Sequence, residues 1–521
     1  MSSHASRRRT DPREENMKTY RVLPILATVA LIIGLVPAAS VAHAGSVASP
    51  SLVRGPQAVP ANVAGPNYSL FSCQVWLSVG ACYDPYQMRH AYGIDTLINA
   101  GFTGKGKTII IVDAFQSPNI VAQLNYFDTF YGLPGLNGLG NASDPKLGKF
   151  TQIAPDGLTP FDQTNGAMSG WAEEISLDVL WAHAIAPGAN IVLDLAKSDQ
   201  DPDILSATKY AVRHNLGDVI SQSFGENESC VDPAVLAEQH QVFAEATNKG
   251  ITLVASSGDE GAAQLTCDGN SWVKAASSPA SYPLVTAVGG TELRAADYCL
   301  TSLGCDPTAN PAAGTYQSEI AWNEGPPFGD FQAYFDSTLA SGGGFSVLYD
   351  KPSYQQGAFR GGKQRGVADV SYNAAVLHGV LTYLDIPGIP AGFYRFGGTS
   401  AGSPQWAAII AIADQKARHN LGFINAALYR MGPSYAASFH DVTSGNNSAM
   451  EFDVNNNPVT VIGFNAGRGW DAPTGLGSPT GTQLVNRVIQ LVSPRDGADE
   501  IADSNQHSYG NPRGPGHNKP N

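Results

Sequence analysis

From about residue 104 onward, short β-branched runs alternate with amphipathic stretches. Compact apolar runs bounded by turn residues are typical of buried strands, and apolar residues spaced three or four apart are typical of helices. This pattern predicts strands at 108–113, 190–196, 218–223, 251–257 and 284–290, and helices at 172–185, 203–215, 232–248 and 400–417. The alternation predicts an α/β fold in one large domain, with a doubly wound, mostly parallel sheet and helices on both faces. In such a sheet the active site lies beyond the carboxyl ends of the strands.

Two regions do not follow this pattern. Residues 296–345 are rich in Gly, Pro and Ser, which predicts long surface excursions. Residues 493–521 are polar and lack periodicity, which predicts a disordered tail. The remaining boundaries are an N-terminal extension with a signal peptide at 1–44, a linker at 45–82 and the folded domain at 83–492.

The N-terminus has the layout of a secretion signal. Lys18 and Arg21 precede the apolar run 22–36, and small residues ending at Ala44 offer a cleavage site. The alternative, a membrane anchor, is disfavoured because the run is short for a bilayer span. We therefore expect a secreted protein that is cleaved near Ala44 and has no membrane association afterwards, with Met17 as an alternative start.

Composition narrows the function further. The chain has 521 residues, 43% of them hydrophobic, and a formal net charge of -14. Such a chain can bury a large core, and its acidity argues against nucleic acid as a partner. An acidic exported protein suits acidic surroundings, where protonation relieves self-repulsion. We expect a monomer.

Six cysteines in an exported chain indicate disulfide bonds. Six cysteines allow 15 connectivities, and the sequence does not choose among them. No CxxC spacing is present, so a zinc site is not expected. Pairing of sequence neighbours is the simplest expectation, and it gives Cys73 with Cys82, Cys230 with Cys267, and Cys299 with Cys305.

One motif is misleading. The stretch GFTGKGKT at 101–108 matches the phosphate-loop pattern letter for letter. A phosphate loop follows a strand and opens a helix, whereas here the predicted strand comes after the glycines. We therefore interpret the glycines as a turn into strand 108–113 and expect no bound nucleotide.

The stretch GGTSAGSP at 397–404 opens an apolar helix and places Ser400 among small residues. A serine hydroxyl becomes a good nucleophile only when a positioned base removes its proton. No HGTH-like motif is present, and His183 stands at a helix end, where packing or capping explains it. A subtilisin-type peptidase that uses Asp113 and a histidine, active at neutral pH, is disfavoured for that reason.

Helix 172–185 offers a different base. Glu174 and Asp178 are four residues apart, so both carboxyls lie on one helix face. Such a pair usually lies on a helix face that is exposed to solvent, but here apolar residues surround both acids. Two carboxyls held close in a semi-buried site share a proton and titrate as a pair, which can act as a base in acid.

The sequence resembles the sedolisins, or serine-carboxyl peptidases, which have a subtilisin-like fold. Four motifs in the family's order carry the resemblance, which runs from about residue 83 to 488: ExxxD in the helix with Glu174 and Asp178, ASSGDEGA with Asp259, GGTSAGSP with Ser400, and FHDVTSGNN followed by AGRGWDAPTGLGSP. It implies that Ser400 is the nucleophile, Glu174 the general base and Asp178 its partner. It also places Asp259 in the oxyanion hole, and residues 83–492 become the peptidase domain.

The implied role of Asp259 requires acid. An ionised carboxylate cannot donate a hydrogen bond, so Asp259 must be protonated to stabilise an oxyanion together with the Ser400 backbone N–H. Model carboxyls titrate near pH ~4, so the neutral form is lost as neutrality is approached. The resemblance therefore implies activity at low pH.

The fourth motif implies one structural Ca²⁺ in the loop 439–479. In the resemblance, the carboxylates come from Asp441 and Asp471 and the backbone oxygens from Val442, Gly467 and Gly469. Without the resemblance, this would be a turn-rich loop.

Two weaker expectations complete the site. Ser221, Ser223 and Gly225 resemble the segment that pairs with the substrate backbone, although a structural strand end is a competing interpretation. Asp113 ends a strand at a place where the family sometimes carries an auxiliary acid that contacts the catalytic glutamate.

The sequence thus predicts a secreted acid endopeptidase acting on proteins or peptides. The alternative is an inactive exported binding protein on the same scaffold. The chain departs from the family in one respect: sedolisins usually carry a long folded prosegment, and only about 40 residues separate Ala44 from the first motif at Cys82. We expect that prosegment to be missing.

Overall fold

The computed structural model describes residues 58–60, 71–75, 81–140, 144–296, 313–327, 329, 337–359, 362–432 and 435–506. They belong to one compact unit, Val47–Asn521. Within these ranges, no helix combines the length and the apolar character needed to cross a bilayer. The expected signal peptide at 1–44 and the expected Cys299–Cys305 pair lie outside the described residues.

An eight-stranded sheet forms the centre of the fold. Its strands lie in the order Tyr316–Ala321, Val285–Ala295, Thr252–Ser256, Val219–Gln222, Thr108–Ala114, Asn190–Ala196 and Phe150–Ile153, and Val370–Asn373 also pairs with Val285–Ala295. All these pairings are parallel except that of Tyr316–Ala321. The predicted doubly wound, mostly parallel sheet is confirmed.

Two hydrophobic clusters cover the two faces of this sheet. Along the central strand, Ile109 and Ile111 pack into one cluster, and Ile110 and Val112 pack into the other. Because side chains alternate along a strand, this division shows that helices bury both faces. The described α-helices are Ser72–Val75, Pro85–Ala91, Ile94–Asn99, Ile120–Tyr131, Gly166–Ile185, Asp201–Arg213, Pro233–Asn248, Gly402–Ala417, Asn425–Tyr429, Tyr435–Ser438, Thr482–Leu491 and Pro494–Gln506, with 3₁₀ turns at Ser353–Gln355 and Thr399–Ala401.

Smaller sheets surround this core. A four-stranded sheet combines Ala58–Pro60, Gly392–Phe396, Gly379–Leu384 and Cys82–Tyr83. The remaining strands form two-stranded pairs: Trp272–Lys274 with Ala263–Leu265, Ser277–Ser278 with Glu226–Asn227, Asn323–Glu324 with Leu339–Ala340, Gly344–Asp350 with Gln364–Val367, Phe439–His440 with Ser478–Pro479, and Ala449–Phe452 with Pro458–Val461.

The prediction that 296–345 forms only surface excursions is wrong in part. Tyr316–Ala321 is an edge strand of the main sheet and pairs antiparallel with Val285–Ala295. Its side chains are mostly half-buried or exposed, so it lacks the apolar run that marks a buried strand.

The prediction of a disordered tail is also wrong for its first part, because Pro494–Gln506 is a helix. Gly497 of this helix faces Thr247 and Phe423, and Glu500 is buried. Arg430 forms an ion pair with Asp496. Tertiary contacts therefore stabilise a polar segment that has little helical signal of its own.

Two of the expected disulfides are present, Cys73–Cys82 and Cys230–Cys267. The loop 101–108 precedes the strand Thr108–Ala114, as predicted. The backbone amides of Thr103, Gly104 and Lys105 donate hydrogen bonds to Gln415 Oε1. The Gln415 side chain therefore accepts the hydrogen bonds of the backbone amides that a phosphate would need.

Candidate active site

The helix Gly166–Ile185, here called the acid helix, carries Glu174 and Asp178. It begins six residues earlier than predicted because the Asn165 side chain accepts hydrogen bonds from the first turn. Glu174 is 3% exposed and Asp178 is fully buried. The alternative that these acids form a solvated helix face is therefore wrong.

Ser400 lies in the short 3₁₀ turn Thr399–Ala401, which leads directly into the helix Gly402–Ala417. Gly398, before this turn, has φ of 101°, and a Cβ atom there would lie 2.5 Å from Asp259 Oδ2. Glycine is therefore required both by the backbone conformation and by the approach of Asp259. This turn brings Ser400 to the acid helix.

The Ser400 side chain lies close enough to the Glu174 carboxyl to influence its pKa. Burial raises the pKa of Glu174 well above its ordinary value, and the negative charges of Asp178, Asp113 and Asp259 raise it further. The Ser400 hydroxyl lowers the Glu174 pKa and so acts in the opposite direction. Glu174 thus has the serine hydroxyl as its partner and three other acids nearby.

Burial also raises the pKa of Asp178 to about 8. Ser223 and Glu174 lie close enough to lower it, although neither forms a hydrogen bond of good geometry with the Asp178 carboxyl. Asp113, at the end of its strand, is fully buried, and burial followed by the charge of Asp178 raises its pKa well above the ordinary range. Three buried carboxyls this close cannot all ionise, so they retain protons that can be shared.

Asp259 follows the strand Thr252–Ser256 and contacts the serine turn. The backbone N–H and the hydroxyl of Thr399 donate hydrogen bonds to Asp259 Oδ1 at 2.7 and 2.8 Å. The Asp259 main-chain oxygen accepts a hydrogen bond from the Ala340 amide. Thr399 was missed by the sequence reasoning, and its position inside GGTSAGSP was the available signal.

The three expected substrate-binding residues have different environments. Ser221 lies inside the sheet, paired with Ile111 and Val254, and its hydroxyl contacts Ser403 Oγ at 2.9 Å. Its backbone pairs with strands on both sides, which favours the structural interpretation for Ser221. Ser223 and Gly225 lie beyond the last strand residue, Gln222.

Ser223 lies between Ser400 and the Asp178 carboxyl of the acid helix. Its hydroxyl is 3.5 Å from the Ser400 main-chain oxygen, and it influences the Asp178 carboxyl. Gly225 packs against Ser277, where a Cβ atom would lie 2.2 Å from the Ser277 hydroxyl oxygen.

The loop that contains Asp441 and Asp471 brings these two carboxyls near each other. Asp441 accepts hydrogen bonds from the Tyr435 hydroxyl and the Gly469 amide, and Asp471 accepts one from the Gly467 amide. Burial raises the pKa of Asp471 to about 7, and the charge of Asp441 contributes to the rise. No cluster of three or more His, Cys, Asp or Glu side chains suited to a metal occurs in the described part of the chain.

His183 is fully buried away from this chemistry. Its Nε2 atom lies 2.8 Å from the Pro134 carbonyl oxygen and 3.2 Å from Asp128 Oδ1. These contacts account for the histidine as a packed residue at the end of the acid helix.

Comparison with known proteins identifies the scaffold. A model of the subtilase family matches residues 165–428, just over half of the chain. Kumamolisin from Bacillus sp. is 30% identical over 420 residues, covering 79% of this chain, and sedolisin from Pseudomonas sp. is 34% identical over 284 residues, covering 53%. The solved structure of Pseudomonas sedolisin, a serine-carboxyl proteinase complexed with two molecules of pseudo-iodotyrostatin, superimposes with a TM-score of 0.62 at 28% identity. It covers 79% of this chain and 99% of that one.

The chain belongs to the sedolisins, within the subtilase family. The subtilisin-like fold expected from the sequence is thereby confirmed, as is membership of a family of serine-type peptidases. This sedolisin spans 64% of the length of kumamolisin and 41% of that of the curated Pseudomonas sedolisin. The family match contains Glu174, Asp178, Asp259 and Ser400, whereas Asp113 and the loop 439–479 lie outside it.

Proposed function

We propose that this protein is a secreted, acid-active serine-carboxyl endopeptidase that hydrolyses peptide bonds through an acyl-enzyme on Ser400. The observation that carries the proposal is the approach of the Ser400 side chain to Glu174 inside a cluster of buried carboxyls. Acyl transfer requires a nucleophile beside a base, and here further acids surround that base.

In the proposed reaction, Glu174 removes the Ser400 proton as the hydroxyl oxygen attacks the peptide carbonyl carbon. Glu174 then returns the proton to the amine that leaves as the C–N bond breaks. A water molecule, deprotonated by the same carboxylate, hydrolyses the ester and restores Ser400. Asp178 and Asp113 act as partners that hold and share protons with Glu174.

Asp259 donates a hydrogen bond to the oxyanion in this proposal. Thr399 donates to Asp259 Oδ1, and Oδ2 lies against Gly398, beside the nucleophile. A proton on Oδ2 would therefore point toward the position where the oxyanion forms, together with the Ser400 backbone N–H. Since an ionised Asp259 could not donate, turnover should decline as the pH rises toward neutrality.

Three further features belong to the proposal. Substrates are proteins or peptides, with backbone pairing at Ser223 and Gly225, and the enzyme acts as a monomer. Secretion is supported by two disulfides, which persist in oxidising compartments.

We also propose one structural Ca²⁺ in the loop 439–479. Asp441 and Asp471 supply neighbouring carboxylates, and among the described contacts no hydrogen bond reaches the carbonyl oxygens of Val442, Gly467 or Gly469. Hard oxygen donors of these two kinds fit Ca²⁺. Bound there, the ion would neutralise two adjacent acids and hold the late loop together.

Substitution of the nucleophile tests this function against the alternative of an inactive binding protein. Ser400→Ala should abolish hydrolysis of a denatured protein while leaving the fold and the affinity for a peptide intact. Steady-state hydrolysis, peptide binding by calorimetry and thermal unfolding would be compared with the wild type. A wild-type protein that binds peptides without hydrolysing them at any acid pH would favour the alternative.

A further inference from the structure

The chain segment from Ser221 to Glu226, beside Ser400, also has polar side chains on the side that points away from Ser400. Ser221 and Ser223 face the serine turn, and the intervening side chains point the other way because a strand alternates. On that opposite side, Gln222, Phe224 and Glu226 line a cleft.

The cleft lies between the helices Asp201–Arg213 and Pro233–Asn248, and it is narrow and partly open to solvent. Its walls are largely apolar, formed by Ile204, Leu205, Val231, Val235, Phe224 and Phe243. Such walls bind the aliphatic part of a ligand rather than a free ion.

Two carboxyls stand in this apolar cleft, Asp201 from one helix and Glu226 from the strand segment. Glu226 is 8% exposed, and among the described residues its carboxyl oxygens have no polar partner other than the neighbouring Asp201 carboxyl. Asp201 Oδ2 likewise has no described partner other than Glu226. Burial, followed by interaction with Asp201, raises the pKa of Glu226 to about 9.

Two buried amides line the same cleft. Gln222 is 1% exposed and Gln239 is 7% exposed, and the Nε2 atom of each lacks a described acceptor. An amide can present its oxygen or its nitrogen by turning about its last bond. Four polar side chains in one cleft therefore have unused hydrogen-bonding capacity.

The charge around the cleft is negative. Burial, and then the charge of Asp232, raises the pKa of Asp201, and no Lys, Arg or His forms an ion pair with Asp201 or Glu226 in the part of the chain that is described. Between the two helices, Lys209 forms its ion pair with Glu238. Two buried carboxyls that have only each other as partners are costly to ionise, and a cation from outside would stabilise their charged forms.

A ligand that suits this cleft has an aliphatic stem and a cationic end, which describes a lysine or arginine side chain. We infer that the cleft binds a lysine or arginine side chain of the peptide substrate, away from the scissile bond, and so gives the enzyme a preference for basic sequences. This inference rests on the proposed peptidase function, because it places the peptide along Ser223–Gly225, next to the cleft.

The first test uses the wild-type protein and a peptide series. Each position on the amino-terminal side of the cleaved bond carries lysine or its uncharged analogue norleucine in turn, and kcat/KM is measured at the highest pH that still gives turnover. At one position, lysine should raise kcat/KM about tenfold or more, since hydrogen bonds to charged groups are the strong ones. Equal rates for lysine and norleucine at every position would overturn the inference.

The second test uses the double variant Asp201→Asn with Glu226→Gln, and Glu238→Gln on the neighbouring exposed helix face as its control. The double variant should lose the lysine preference and keep the wild-type kcat/KM for an all-neutral peptide, whereas the control keeps both. An equal loss for lysine and neutral peptides would show that the pair is merely structural and would overturn the inference.

Binding to Ser400→Ala separates this inference from the proposed function. If the wild type hydrolyses nothing but Ser400→Ala binds the lysine peptide about tenfold more tightly than the norleucine peptide, the peptidase proposal fails and the cleft assignment stands. If Ser400→Ala binds both peptides equally, the cleft assignment is contradicted whether or not the wild type is active.

Discussion

At the scale of single residues, the candidate site depends on acids kept away from water. Glu174, Asp178 and Asp113 are buried together, and burial is the largest cause of the raised pKa of each. In water these carboxyls would be weak bases that are already ionised at pH 5. In the site, a shared proton makes one carboxylate able to accept the Ser400 proton while its neighbour stays neutral.

The sharpest residue-scale prediction concerns the base. Glu174→Gln should lower kcat/KM by at least about 100-fold, because the amide cannot accept the proton of Ser400, while its similar shape preserves the fold. Peptide hydrolysis at acid pH and thermal unfolding check both parts. Glu173→Gln, the adjacent residue on the same helix, is the matched control and should stay active. Comparable activity in Glu174→Gln would remove Glu174 from the mechanism.

At the scale of elements, the site exists because two helices and two loops meet. The acid helix packs along the sheet and against the helix Gly402–Ala417. Gly398 allows the serine turn to approach Asp259, and Thr399 anchors it there. The late loop brings the carboxyls of Asp441 and Asp471 near each other, so it is the element for which a bound ion matters most.

Removal of calcium tests that loop. If Ca²⁺ holds Asp441 and Asp471 together, adding a chelator should lower the melting temperature by several degrees, and adding Ca²⁺ back should restore it. Asp441→Asn should weaken this response, while Asp453→Asn, which changes an acid in a neighbouring turn, should leave it unchanged. A melting temperature insensitive to both chelator and Ca²⁺ would argue against the ion.

Periodicity predicted the elements that are apolar in their own right. The central strands and the acid helix are buried, so their composition carries the signal. Tyr316–Ala321 and Pro494–Gln506 were missed because distant parts of the chain stabilise them, and a local pattern does not contain those partners. In the site, Glu174 and Asp178 were recognisable from their spacing on one helix. The role of Thr399 and the commitment of Ser221 to the sheet depend on contacts across the fold.

At the scale of the whole molecule, buried acids link stability to pH. Burial raises the pKa of Asp178, Asp194 and Asp414 to about 8. Each such carboxyl binds a proton more tightly in the folded chain than in the unfolded one, where its pKa is near ~4. Its contribution to stability is therefore full below pH ~4 and is lost as the pH rises through the folded value.

We therefore expect the free energy of unfolding to fall between about pH 4 and about pH 8, by up to about 1.4 kcal/mol per pH unit for each group. Denaturant titrations across this range measure it. Asp178→Asn should flatten the slope, because one titrating group is removed. Stability that increases toward neutral pH would contradict the account.

The most direct measurement of the central claim is the pH dependence of kcat/KM for a denatured protein substrate, from about pH 3 to about pH 8. Both the shared proton among the buried acids and the protonated Asp259 require acid. The account predicts turnover that is highest in acid and declines toward neutral pH while the protein is still folded. An optimum at neutral pH would contradict it.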